Sequence, residues 1–315
     1  MAYKSCLIRR GSIEVGFRDY TQTITMPGKS VLITGCSDGG LGSALALAFH
    51  KRGYRVVASA RNVAKMGQMK AAGIETVTLD VQSEESIKEA VAEVTKVLGG
   101  QLDFLVNNAG AGYSMPIMDI KQDQLKNIFD LNVFSLVSVT QGFLPLLRKA
   151  GGTVVNNTSV AGTVTGGVPI QSAYNATKAA AIVITNNLRL ELKPFGVKVI
   201  DLRTAAVKTQ FFQNAGTANL PADSIYQPAK DAICYFMEGG DLMTNAMAAE
   251  TWASRVVGDL SKSSPPLVIW RGTQATQLWL LSFFPIHWFD PVIKNVVGLS
   301  VLDKRLKEQG RLKQI

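Results

Sequence analysis

Metal-ligating and cross-linking residues are scarce in this chain. Its two histidines, His50 and His287, cannot hold a metal ion by themselves, and its three cysteines, Cys6, Cys36 and Cys234, lie far apart with no CxxC pair. That spacing argues against a zinc site or a disulfide framework and fits a reducing compartment. Charge is sparse as well: 18% of residues are charged and 47% are hydrophobic. At 315 residues such a chain can bury a full core, as one large domain or as one domain with attachments. The first 28 residues lack a continuous apolar run, so no secretory signal is expected. No internal repeat, low-complexity tract or clear linker interrupts the chain.

The net charge of +9 is concentrated at the ends. Residues 1–29 carry a net +3 and residues 291–315 a net +4. No basic helix or nucleic-acid motif accompanies them, so an anionic membrane surface is a better partner than nucleic acid. Residues 1–29 read as a loosely attached extension, with a mitochondrial leader as the second reading, because Arg, Ser and Thr outnumber acids there.

Between the ends, strands alternate with helices. Ser30–Thr34 is a short apolar run that reads as a buried strand, and it enters Gly35-Cys36-Ser37-Asp38-Gly39-Gly40-Leu41-Gly42. Leu41, Ala44, Leu45, Ala48 and Phe49 then recur with helical spacing, up to Gly53. A strand, a glycine-rich turn and a helix N-terminus suit a pyrophosphate: the backbone can approach closely, and free N–H groups and the positive dipole end face the anion. The second strand, 54–60, is followed by Arg61 rather than an acid. A guanidinium there can hold a 2′-phosphate, which favours NADPH over NADH, or it can be a solvated side chain. A helix over 62–72, a strand over 74–79, a helix capped by Ser83, strands at 104–106 and 153–157, a long helical region over 123–149, a helix over 172–193 and a sixth strand from 197 complete the alternation. Residues 246–260 read as a helix and 267–270 as a seventh strand. This order predicts a doubly wound parallel sheet with helices on both faces.

Tyr174 and Lys178 are four residues apart on the 172–193 helix and project from one face. An ammonium beside a phenol favours the phenolate, so the pair suggests a tyrosine with a lowered pKa, usable in proton transfer. A chance pair on a surface helix is the bland alternative. Their company argues against it. The Thr34–Gly42 turn, Asp80, Asn107-Asn108-Ala109-Gly110, Asn132, Ser159 and Tyr174 with Lys178 together resemble the short-chain dehydrogenase/reductase superfamily across about 30–270. The resemblance implies a single Rossmann-like domain, here 30–271, moving hydride between NADP(H) and a carbonyl or alcohol without a metal. It implies Tyr174 as general acid and Ser159 as the hydroxyl that polarises the substrate oxygen. Lys178 would lower the tyrosine pKa and hold the nicotinamide ribose, and Asn132 would position Lys178 through a water and its own backbone. Gly35, Gly40, Leu41, Gly42, Arg61, Asp80, Asn108, Val207 and Thr209 would line the cofactor with Tyr174 and Lys178. Dimers and tetramers are common in the superfamily.

Three departures stand out. The glycine turn is one residue longer than usual, with Cys36 in it as either an oxidisable thiol or a buried filler. Ser159 lies fifteen residues before Tyr174, about two more than usual, with the surplus in 162–167. Thr204-Ala205 replaces the usual Pro-Gly, so Ala205 is expected to cost something if a glycine angle is needed.

Residues 210–245 are the expected substrate region, with Phe211, Phe212, Leu220, Ile225, Tyr226 and Phe236 as an apolar lid or as ordinary packing. The extension 272–315 begins with Gly272–Phe289, free of charged residues and rich in Trp and Phe. It is short for a bilayer span of ~20 residues and is interrupted by Pro285, so it reads as an interfacial segment or as one packed on its own domain or a second subunit. The long glycine turn, Tyr-Asn-Ala-Thr-Lys, Pro265-Pro266, Trp270-Arg271-Gly272 and this tail resemble the fungal group around NADPH-dependent 1-acyl-dihydroxyacetone-phosphate reductase. That implies a lipid-associated ketone reductase at the endoplasmic reticulum or lipid droplets, although similar enzymes serve fungal secondary metabolism. The 210–245 stretch offers no cluster of Arg and Lys for a phosphate. The rival readings are a dehydrogenase of a retinoid-like or steroid-like alcohol, and a cofactor-sensing or scaffold protein without catalysis.

Overall fold

The computed structural model describes residues 28–163, 167–212 and 218–310. Most of the 1–29 extension, the middle of the 162–167 surplus, residues 213–217 of the substrate region and the last five residues lie outside it.

The chain runs β1 (Ser30–Thr34), α1 (Leu41–Lys51), β2 (Arg55–Ala60), α2 (Gly67–Ala71), β3 (Glu75–Thr78), α3 (Glu84–Leu98), β4 (Phe104–Asn107), α4 (Gln122–Phe129), α5 (Ser135–Ala150), β5 (Thr153–Asn157), α6 (Ser172–Glu191) and β6 (Lys198–Thr204). After β6 come β7 (Val207–Lys208), α7 (Lys230–Met237), α8 (Gly240–Thr244), β8 (Met247–Ala248), α9 (Ala249–Leu260), β9 (Val268–Arg271), α10 (Ala275–Leu281), α11 (Asp290–Val296) and α12 (Leu299–Glu308). Seven strands form one parallel sheet in the order β3-β2-β1-β4-β5-β6-β9, and β7 pairs with β8 apart from it. The order reverses between β1 and β4, so a crevice opens at the carboxyl ends of the strands, where such sheets hold ligands.

Both faces of the sheet are covered, which explains why β1 reads as an uninterrupted apolar run. On one face, α1 and α9 pack Leu45, Phe49, Trp252 and Val256 against Val31, Ile33 and Val106. On the other, α3 and α5 bring Ile87, Val94, Val139 and Phe143 onto Leu32, Val57, Leu105 and Val154. The helical run Gln122–Ala150 is apolar and long enough to cross a membrane, yet its Leu136, Val139, Phe143 and Leu147 are buried in this core.

Three local differences from the sequence reading have physical causes. The expected 62–72 helix is broken into a 3₁₀ turn at Val63–Lys65 and the short α2, because Asp38 from the glycine turn accepts from Gln68 N, at 3.2 Å to its nearer oxygen. The 123–149 helical region contains a π turn over Asp130–Phe134, which carries Asn132. Ala205 is not among the residues with positive φ. The backbone freedom expected there is supplied across the strand pair by Gly272, at φ +122°, where a Cβ would lie 2.8 Å from the Ala205 carbonyl carbon.

Candidate active site

The floor of the crevice is the turn after β1. Here α1 comes so close to β1 that a Cβ on Gly42 would collide with the Gly35 carbonyl oxygen and lie 2.7 Å from Asn108 Nδ2. Only glycine allows that approach, and it leaves the start of α1 part-exposed at Gly40 and Leu41, with Gly42 buried against the turn. Cys36 is fully buried in the turn, its thiol donating to Ile33 O and pushed up to about 12 by burial. It is therefore the filler of the two readings; a thiol that far from ionising is inert. At the end of β2, Arg61 is exposed, and no hydrogen bond or ion pair with the described residues commits its guanidinium. Asp80 closes a turn after β3, with one carboxylate oxygen accepting from Gln82 N at 3.1 Å.

Strand β4 delivers Asn108, whose Nδ2 donates to Thr34 O at 2.8 Å and whose Oδ1 accepts from Asn157 Nδ2 at 2.9 Å. Asn157 ends β5, and its backbone carbonyl accepts from Lys178 Nζ at 3.0 Å. A continuous chain of hydrogen bonds thus ties the glycine turn to Lys178. Sequence reasoning missed Asn157; its place at the carboxyl end of a strand, two residues before Ser159, is the signal that could have found it.

Ser159 follows directly. Its Oγ donates to Thr204 O at 3.2 Å, accepts from Ala161 N and shares a hydrogen bond with Tyr174. Gly167 N donates to Thr163 O at 3.2 Å, so the described ends of the 162–167 stretch lie together. Tyr174 is buried on the first turn of α6, with the Lys178 ammonium 5.8 Å from its ring centre. The electrostatics differ from the expectation of a lowered tyrosine pKa. Burial pushes the phenol up to about 12, and the bond with Ser159 only partly opposes it. Burial also pulls Lys178 down to about 8, against the pull of Asp201. Desolvation disfavours both charged forms here and outweighs the Ser159 and Asp201 contributions that favour them.

Asn132 sits on the π turn, and single π turns within α-helices are frequent at functional sites. Its amide clamps Ala111, accepting from N and donating to O at 3.0 Å each, and reaches Thr177 Oγ1 at 3.1 Å. It therefore joins the loop after β4 to α6 one residue before Lys178, without a direct bond to the lysine. A cavity of about 10 Å³, lined by Asn107, Asn132, Asn157 and Lys178 among others, lies between them, close to the size that holds one water. The buried Asn107 Oδ1 has no hydrogen-bond partner among the described residues, so a polar guest there would be satisfied.

Over the crevice, β7 places Val207 and then Thr209, whose Oγ1 accepts from Phe211 N. Gln210 rests against Gly39, and the Phe211 ring packs on Tyr174 with centres 5.5 Å apart. The wall opposite the glycine turn is therefore aromatic.

Residues 29–220 match the model of the short chain dehydrogenase family. The chain is 44% identical over 282 residues to a short-chain dehydrogenase/reductase of Pestalotiopsis microspora, covering 89% of this chain and 97% of that one. It is 35% identical to the NADPH-dependent 1-acyldihydroxyacetone phosphate reductase of Schizosaccharomyces pombe, over 86% and 95% of the two chains. Among solved structures it resembles a short-chain dehydrogenase from Streptomyces avermitilis, with a TM-score of 0.70, 26% identity and coverage of 91% and 98%. With the parallel sheet, the glycine turn and the convergence of Ser159, Tyr174 and Lys178, these likenesses make the chain a member of the short-chain dehydrogenase/reductase family of oxidoreductases.

Proposed function

We propose that this protein is an NADP(H)-dependent reductase that converts a ketone on an apolar substrate into a secondary alcohol. The observation that carries the reading is the unbroken chain from the glycine turn through Asn108 and Asn157 to Lys178, one helical turn from Tyr174, which supports reading the crevice as a site for a cofactor beside a proton donor. The residues fit the cofactor. Gly35, Gly40, Leu41 and Gly42 would take the pyrophosphate, Arg61 the 2′-phosphate, and Asp80 and Asn108 the adenosine half. Val207, Thr209, Tyr174 and Lys178 would meet the nicotinamide half. The NADPH dependence in the name of the fission-yeast relative agrees with the uncommitted Arg61.

NADPH, when bound, supplies the hydride. The protein's own work is to receive charge and give a proton. Ser159 donates to the substrate oxygen as negative charge develops there, in a buried setting that makes such a bond strong. Tyr174, held as a neutral phenol, donates its proton to that oxygen. Lys178 lies beside the phenol and favours the phenolate left behind. Asn132 fixes the turn that faces them. The Phe211 ring beside Tyr174 and the neighbouring Phe212 favour an apolar substrate.

The substrate we favour is a lipid precursor such as 1-acyl-dihydroxyacetone phosphate, taken at an anionic lipid surface such as the cytosolic face of the endoplasmic reticulum or a lipid droplet. Trp279, Phe283, Phe284, Trp288 and Val292 are 42–71% exposed on a segment that carries no charge before Asp290. Exposed aromatics followed by the basic residues of α11 and α12 suit an interface of apolar chains and anionic headgroups. A ketone of secondary metabolism is the second substrate class.

The test is NADPH consumption on 1-acyl-dihydroxyacetone phosphate in mild detergent, with Tyr174→Phe as control. Turnover lost in a variant that still binds NADPH supports the reading. Cofactor binding without turnover rejects the phospholipid precursor, and faster oxidation of a retinoid-like alcohol with NAD⁺ would favour a dehydrogenase. For docking, sedimentation with vesicles containing phosphatidylserine should show binding that falls at least tenfold in Trp279→Ser/Phe283→Ser/Trp288→Ser. A dimer that this triple variant splits, with no vesicle binding by either form, would make the face a contact between copies of the chain.

A further inference from the structure

Beneath the catalytic segment lies a second charged assembly. Asp201 is 2% exposed in the interior of β6. One carboxylate oxygen accepts from the Thr158 hydroxyl, the other from Arg203 Nε at 2.8 Å. The Arg203 guanidinium carbon in turn lies 4.9 Å from the centre of the Trp270 ring. Buried ion pairs are weak contributors to stability, since apolar replacements of the same shape often do as well. The location of this one is more telling. Asp201 pairs with Asn156 in the parallel register, and Asn156 Nδ2 reaches Thr185 on α6, so Asp201 shares the face that α6 covers. Thr158 stands between Asn157, whose carbonyl holds Lys178 Nζ, and Ser159.

We propose that Asp201 is a positioning residue for the reaction, fixing the Asn157–Ser159 segment through Thr158 and sustaining Lys178 as an ammonium with a buried charge that Arg203 tempers. The proposal rests on the site assigned above. Among the described residues, the charged or titratable groups that bear on Lys178 are Tyr174 from α6 itself and Asp201 with its partner Arg203 from β6. The other strands and the π turn offer only uncharged side chains: Thr34, Asn107, Asn132, Asn157 and Ser159. Asp201 raises the lysine pKa while burial lowers it.

Three substitutions separate charge from geometry. Asp201→Asn keeps an oxygen for Thr158 and removes the charge. Arg203→Gln removes the tempering cation. Thr158→Val breaks the bond and leaves the charge. In cofactor-free protein carrying ¹³C at lysine Cε, the Lys178 resonance, assigned with Lys178→Met, is titrated by NMR. Its midpoint should fall in Asp201→Asn and rise in Arg203→Gln, each by roughly half a pH unit or more, the scale of a nearby buried charge. Thr158→Val should leave the midpoint in place and lower kcat several-fold. Midpoints that stay put in both charge variants, or move the same way, overturn the proposal, as does full kcat in Thr158→Val. If thermal melts show that Asp201→Asn does not fold, Arg203→Gln decides the charge question by itself: a midpoint that falls or stays put is the overturning result. The titration needs neither substrate nor turnover, so its failure is distinct from failure of the reductase assignment.

Discussion

Tyr174 is a proton donor that stays loaded. Burial holds its phenol near pKa 12, so it remains protonated throughout the working range, and the group that titrates is Lys178, near 8. For reduction, kcat/KM should therefore be flat below about pH 8 and fall by up to about tenfold per pH unit above it, as the ammonium is lost. A pH–rate profile whose alkaline limb begins only above pH 10 would contradict this. The same shift has a cost for folding. The lysine pKa is depressed in the folded state, so between about 8 and the ordinary 10.5 the unfolded chain binds more protons and stability rises with pH. The penalty is fully present below pH 8 and gone above 10.5. Lys178→Met should abolish turnover yet raise Tm at pH 7 by about 2–4 °C for each kcal/mol recovered. The gain should vanish in melts near pH 10.5. Tyr174 and Lys178 were legible because their relation is local, one helical turn. Asn157 was not, and of Asp201 only the pair with Arg203 two residues on is local; the bonds that tie both to the site reach 21 to 49 residues along the chain, and local spacing carries no trace of those.

Among the elements, those with periodic patterns were read to within a residue or two: β1, β5, α1 and α3 with its Ser83 cap. Errors fell where a tertiary contact overrides the local preference, as with Asp38 breaking the 62–72 helix and Gly272 supplying the freedom sought at Ala205. The glycine turn is the element least able to change. Gly42→Ala would push α1 off Gly35 and should weaken NADPH binding at least tenfold in a fluorescence titration. An unchanged Kd would mean that α1 can retreat without loss. At the start of α10, by contrast, exposed Gln274 is strained at φ +59°. Gln274→Gly should relieve on the order of 1 kcal/mol of left-handed strain and raise Tm by a few degrees. A fall in Tm would show that side-chain contacts outweigh the strain.

For the whole molecule, the parallel order of the sheet was legible from the βα alternation, whereas the seating of the C-terminal extension was not. It is gripped at two points. Ala275 and Leu278 of α10 pack on Val160 and Ala205 beside Ser159, and fully buried Val297 joins Ile170, Leu220, Ile233 and Phe236 in a third cluster. Ile170 lies four residues before Tyr174, so this extension buttresses the active site as well as presenting an apolar face. Val297→Asp should loosen that cluster, lower Tm by several degrees and raise KM more than it lowers kcat; unchanged KM in a destabilised variant would confine Val297 to folding.

The placing of Trp252, Trp279 and Trp288, three of the four tryptophans, gives the molecule two optical signals. Trp252 is fully enclosed in the main core and its indole N–H has no hydrogen-bond partner among the described residues, so its emission should lie far to the blue and escape iodide. Trp279 and Trp288 stand 42% and 62% exposed on the aromatic face and should emit to the red and be quenched. Contact with a lipid surface would move the red component alone, while unfolding would move the blue one, so a single spectrum distinguishes a docked protein from a denatured one.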